Sequence, residues 1–100
     1  MKIKNKTFDL FTKKYSFMLD EAYWNGWLSG KEEGLICLFI NFKNLFVSLV
    51  ITGDDCASIS PELSWENHFD ETTFPCDFDG FRNACEWIDR ERIELVENLL

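Results

Sequence analysis

Two short stretches in the middle of the chain are apolar at nearly every position: Leu35-Ile36-Cys37-Leu38-Phe39-Ile40-Asn41 and Leu45-Phe46-Val47-Ser48-Leu49-Val50-Ile51-Thr52. β-Branched and aromatic side chains dominate them, and these suit a half-buried pleated surface. Phe42-Lys43-Asn44 supplies a turn, so the pair reads as an antiparallel hairpin over about 35–41 and 45–52. Apolar residues on both alternations imply two covered faces, and therefore a central place in a sheet. Gly53-Asp54-Asp55 then closes the second strand with turn-forming residues. Residues 57–66 suggest a third strand that Pro61 interrupts, which puts it at an edge. The alternative for this stretch is a short helix capped by Ser60, with Pro61 at its first position.

Toward the C-terminus the period changes. Phe81, Ala84, Cys85, Ile88, Leu95, Val96 and Leu99 recur at intervals of three and four, which predicts a helix over about 78–99 capped by Asp77 or Asp79. Glu86, Asp89, Glu91, Glu94 and Glu97 fall on its other faces and read as a solvated surface. The N-terminal third supports two readings. Phe8, Phe11, Tyr15, Met18 or Leu19, and Ala22 keep helical spacing, with Thr7 as cap and Asn25-Gly26 as stop. Tyr15, Phe17 and Leu19 also alternate like a strand, and Trp24-Asn25-Gly26-Trp27 has the form of a two-residue hairpin turn. The helix is the favoured reading. In either case the fold class is α+β: an antiparallel sheet with a central hairpin, with N-terminal and C-terminal helices packed on it.

One hundred residues suffice for a single domain, 1–100, with one core, and the apolar share of 46% belongs to a globular chain. The longest apolar run, Leu35 to Ile40, falls far short of the roughly 20 residues of a membrane span. Lys2, Lys4 and Lys6 resemble the start of a signal peptide, but Phe8-Asp9-Leu10-Phe11-Thr12-Lys13-Lys14 breaks the apolar segment that should follow. The expected location is the cytoplasm.

Charge changes the picture more than composition does. Residues 1–14 hold five lysines against Asp9, a local balance of +4, whereas residues 15–100 hold five bases against seventeen acids, a balance of −12. Between Lys43 and Arg82 there is no lysine or arginine, yet the stretch carries Asp54, Asp55, Glu62, Glu66, Asp70, Glu71, Asp77 and Asp79. Trp65, Phe69, Phe74 and Phe78 are threaded among these acids. A body this negative repels nucleic acid and anionic lipid and speeds encounter with a cationic protein. Carboxylates supply the steering, and desolvated rings supply most of the binding free energy. The partner-binding residues expected on this basis are Asp54, Asp55, Glu62, Trp65, Glu66, Phe69, Asp70 and Glu71. Phe74 and Phe78 read as core.

Catalytic chemistry finds little footing. His68 is the single histidine, and no local motif joins it to Cys56, Cys76 or Cys85 as a nucleophile pair. Cys37, Cys56, Cys76 and Cys85 contain no closely spaced ligand pair, so free, mostly buried thiols are expected rather than a zinc site. Asp54-Asp55 and Asp77/Asp79 have simpler roles in a turn and a helix cap, and the five glycines form no phosphate loop. The chain is read as a non-enzyme without cofactor or metal.

On its charge pattern and on Trp65-Glu66-x-x-Phe69-Asp70, the whole chain resembles the small acidic bacterial immunity proteins. These are the antidotes of contact-dependent growth inhibition systems and of nuclease bacteriocins. The resemblance implies an antitoxin that binds and neutralises a cognate basic toxin domain, such as a nuclease, as a monomer in a 1:1 complex. The lysine-rich first fourteen residues depart from a uniformly acidic mimic and have to point away from the partner. The alternative is a phage-encoded inhibitor, such as an anti-CRISPR or DNA-mimic protein, with carboxylates placed where phosphates would lie.

Overall fold

A computed structural model describes residues 5–29, 34–42, 45–52 and 58–96. Helix α1 (Lys6–Lys14) is followed by a 3₁₀ turn (Ser16–Leu19) and helix α2 (Glu21–Leu28). Strands β1 (Leu35–Phe42), β2 (Leu45–Thr52), β3 (Ser58–Trp65), β4 (His68–Glu71) and β5 (Phe74–Pro75) come next, and helix α3 (Phe78–Val96) ends the described chain. The sheet is antiparallel throughout, in the order β1-β2-β3-β4, with β5 also paired to β3. The fold is α+β, and the expected hairpin is present, with Phe42 opposite Leu45 and Leu35 opposite Thr52.

All three helices lie on one side of the sheet. Leu38, Ile40, Leu45, Val47, Leu49, Ile51, Ile59 and Leu63 point into a core shared with Phe11, Trp24, Trp27, Phe81, Ala84, Cys85 and Ile88. Rings hold the helical layer together: Trp24 stacks on Phe81 with centroids 5.7 Å apart, and Trp24 meets Trp27 edge to face at 5.8 Å. The buried Trp24 indole N–H donates to the Met18 carbonyl oxygen at 3.1 Å, so the polar handle of the largest core residue is satisfied.

The N-terminal helix forms, but in two pieces. Asn5, not Thr7, caps α1, its side-chain oxygen accepting from the Phe8 N–H at 2.9 Å. Thr7 is committed elsewhere: its hydroxyl and backbone N–H both donate to Asp89 of α3, as does the N–H of Lys6. The helical run breaks at Tyr15, whose φ of −127° and ψ of 68° leave the helical region. Asp20 starts a new helix after the 3₁₀ turn, its carboxylate accepting from the Ala22 N–H. Asn25-Gly26 does not stop α2, which continues to Leu28, since Trp24 and Trp27 anchor one face of the helix on either side of the glycine. At the other end of the chain Asp77 caps α3, with Oδ1 accepting from the Gly80 N–H at 2.6 Å. Helix α3 is described to Val96, and the expected last turn to 99 lies outside the described residues.

Two sequence expectations about the sheet are corrected. Residues 58–65 form neither a helix nor an edge strand: β3 is interior, between β2 on one side and β4 and β5 on the other, with Pro61 buried. The missing N–H of Pro61 costs little here, because β4 ends opposite Glu62 and β5 begins opposite Ile59. Pro61 faces the gap between them, and its carbonyl accepts from the Thr72 N–H at 3.3 Å. The second correction concerns the hairpin. Among the described residues β1 is an edge strand, not a central one, and nothing covers the face of β1 and β2 that points away from the helices. The shortest dimension of the molecule, 20 Å, fits one layer of helix and one of sheet at roughly 10 Å each.

Candidate protein-docking surface

Strand register decides which side chains share the uncovered face. Opposite residues in an antiparallel pair point the same way, about 4.5–5.5 Å apart at Cβ. Across the four strands this gives one row of Asn41, Phe46, Ser64 and Phe69, and a second of Phe39, Ser48, Glu62 and Glu71. Further rows hold Cys37, Val50 and Ser60, then Leu35, Thr52, Ser58 and Pro75. The large apolar side chains here stay in solvent: Leu35 is 62% exposed, Phe69 57%, Phe39 47% and Phe46 38%. Phe39 and Phe46 lie diagonally, with ring centroids 5.8 Å apart, and shelter the small Ser48 between them and Glu62.

Glu62 and Glu71 sit directly opposite each other on β3 and β4. Like charges facing across a ladder destabilise it by a few tenths of a kcal/mol or more. Folding therefore gains nothing from the pair, while a cation approaching this face meets two carboxylates at once. The combination of exposed rings with acids beside them brings both ingredients of a protein interface, apolar anchors and charged residues, onto one face.

The expected binding residues divide between the two faces of the β3–β4 hairpin. Glu62, Phe69 and Glu71 lie on the open face. Trp65 and Asp70 alternate to the helix side, where Trp65 packs against the core and stacks on His68 at 5.4 Å. Glu66 occupies the tight turn at the tip, with φ of 51°, a left-handed conformation unusual for a residue with a side chain. Asp54 and Asp55 lie outside the described residues, as does the turn they were expected to make. Sequence reasoning missed Leu35, Phe39 and Phe46, which complete the open face. The signal was present in the excess apolar residues on both alternations of 35–42, and it was spent on a second covering layer that the fold does not provide. Phe74 and Phe78 are half-buried against the core.

The remaining chemistry lies on the helix side. A cavity of about 220 Å³ opens between α2 and the start of α3, with Glu21, Asp77 and Asp79 beside Trp24 and Phe78. Asp77 is already engaged in capping α3. Cys85 and Cys76 are buried, whereas Cys37 is exposed on the open sheet face. Burial, and secondarily the neighbouring Asp77, pushes the Cys76 thiol up to about 11, and burial with Asp89 nearby pushes Cys85 up as well. Both thiols thus hold little thiolate at neutral pH, which suits packing better than nucleophilic attack. Cys56 lies outside the described residues. Among the described residues no group of three or more His, Cys, Asp or Glu side chains is arranged to hold a metal ion. Among them, too, no helix is long and apolar enough to cross a membrane.

Comparison with models of known protein families, with curated proteins and with solved structures gave no significant match.

Proposed function

We propose that this chain is an inhibitor of the immunity-protein kind, which binds a basic toxin domain, such as a nuclease, through the open face of its sheet and acts in the cytoplasm. One observation carries the reading: exposed Phe39, Phe46 and Phe69 share an uncovered face with the opposed carboxylates of Glu62 and Glu71. A fold under no other demand would not leave three rings in water beside a repelling charge pair. The rings supply the apolar anchor, and the acids select a cationic partner and hasten its arrival. Each inhibitor chain engages one toxin domain and occludes its substrate-binding surface without chemistry of its own.

The test starts from capture of the toxin domain in the native host, followed by titration with the purified partner. Phe69→Ala is expected to weaken binding by about 1–2 kcal/mol or more. The Glu62→Gln/Glu71→Gln double variant is expected to slow association while raising thermal stability slightly, because the opposed charges are gone. Unchanged affinity and on-rate in both variants would remove this face from the account.

A further inference from the structure

Strand β1 presents eight residues of sheet edge with no neighbour among the described residues on its outer side. Open edges in soluble proteins are blunted by lysine, proline, a bulge or brevity, because unpaired N–H and C=O groups template a further strand. β1 has none of these devices: residues 35–42 contain no charged residue, no proline and no glycine, and pair with β2 in unbroken register. We propose that β1 pairs antiparallel with β1 of a second copy of this chain, joining two sheets into one across a two-fold axis.

Charge decides for a second copy over the cationic partner. Each molecule carries a net charge of −8, so two copies can approach closely only where the surface is neutral. Neither β1 nor β2 bears a charged side chain, whereas the acids of the open face lie across the sheet on β3 and β4. A basic partner gains no attraction from the neutral edge. The strand is also self-complementary. Centred on Leu38, the two-fold sets Leu38 against Leu38 of the other copy, Ile36 against Ile40, and Cys37 against Phe39. Residues facing the core then meet residues facing the core, and exposed thiol meets exposed ring. The pairing leaves Glu62 on β3 and Phe69 and Glu71 on β4 two and three strands from the seam, so the acidic part of each copy's docking face stays open, while Phe39 of that face stands at the seam itself.

Size sets the strength. Eight residues at about 3.4 Å each give roughly 27 Å of edge, and with a sheet depth of about 10 Å the footprint is roughly 270 Å². That is well below the roughly 800 Å² per partner of a standard stable interface. The association is accordingly reversible and concentration-dependent, in the micromolar range.

Sedimentation velocity of the full chain from about 1 to about 300 µM, a span that brackets micromolar association, is expected to show the mass rising from 11.8 kDa toward twice that value. Cys37→Lys and Phe39→Lys, each placing a charge on the edge strand, are expected to weaken self-association at least tenfold with unchanged circular dichroism. Should the lysine variants fail to fold, a short bismaleimide serves instead. In a Cys56→Ser background it is expected to link Cys37 to Cys37 between copies, and Cys37→Ser to abolish the link. A monomer over the whole concentration range overturns the proposal, as does a dimer indifferent to both lysine substitutions, or one that yields no Cys37 link. Glu62→Gln/Glu71→Gln should leave self-association intact, so failure here and failure of the partner-binding reading are told apart.

Discussion

Gly80 holds the junction between sheet and helix α3 at a separation that no other residue allows. A Cβ at this position would stand 1.7 Å from the Pro75 carbonyl oxygen, and that oxygen belongs to backbone paired into the sheet. Helix propensity alone favours Gly80→Ala by up to about 1 kcal/mol, so the sign of the measured change separates the two effects. The clash dominates: Gly80→Ala is expected to lose about 1–3 kcal/mol in urea denaturation, because either β5 or the first turn of α3 must move. Residue-scale features of this kind were only partly legible in the sequence. Asp77 as the cap of α3 could be read from residue type and position. The role of Gly80 could not, because Pro75 approaches it only once β5 has paired with β3. The candidate site shows the same division. The acid-and-ring composition of residues 62–71 was plain, but only the register Ser64↔Phe69 and Trp65↔His68 reveals that Phe69 and Trp65 face opposite ways.

Elements that the sequence specified locally came out as expected, and those that depend on a distant partner did not. The β1–β2 hairpin rests on side chains that favour strands by themselves. The start of α1 depends on Asp89, whose carboxylate accepts from the N–H groups of Lys6 and Thr7 and from the Thr7 hydroxyl. No pattern within residues 5–14 reveals that. Asp89→Ala leaves these donors without their acceptor and is expected to destabilise by about 1–3 kcal/mol, with α1 detaching first in hydrogen exchange. Burial pushes the Asp89 carboxyl above its ordinary value despite the hydrogen bonds from Thr7 and Lys6, which pull it down. A carboxyl raised in the folded state holds its proton more readily there than in the unfolded chain. Its contribution is therefore most favourable in acid, below the ordinary Asp value, and is lost as pH rises through the raised value. Thermal melts between about pH 4 and 7, bracketing that window, are expected to show a fall in stability with rising pH that Asp89→Asn makes shallower.

For the whole molecule, asymmetry of cover and charge is the governing property. Among the described residues, one sheet face is sealed by helices and the other is left to solvent, with neutral strands at one edge and acids at the other. Salt acts differently on the two. Raising ionic strength from about 50 to about 300 mM shortens the screening length from roughly 14 to roughly 6 Å. Stopped-flow association with the proposed basic partner is expected to slow steeply over that range, while the proposed pairing through neutral β1 is expected to hold or strengthen as repulsion between the two −8 bodies is screened. The bond between Asp89 and the start of α1 has a consequence in time as well. It joins residues 82 and 83 positions apart, and α1 packs on α3. A nascent chain leaves the ribosome with α1 ahead of α3, on which it rests. Docking of α1 must therefore wait until α3 with Asp89 has been made, and until then the apolar segment around Phe8 and Phe11 has to be kept from other chains by its neighbouring lysines or by a chaperone.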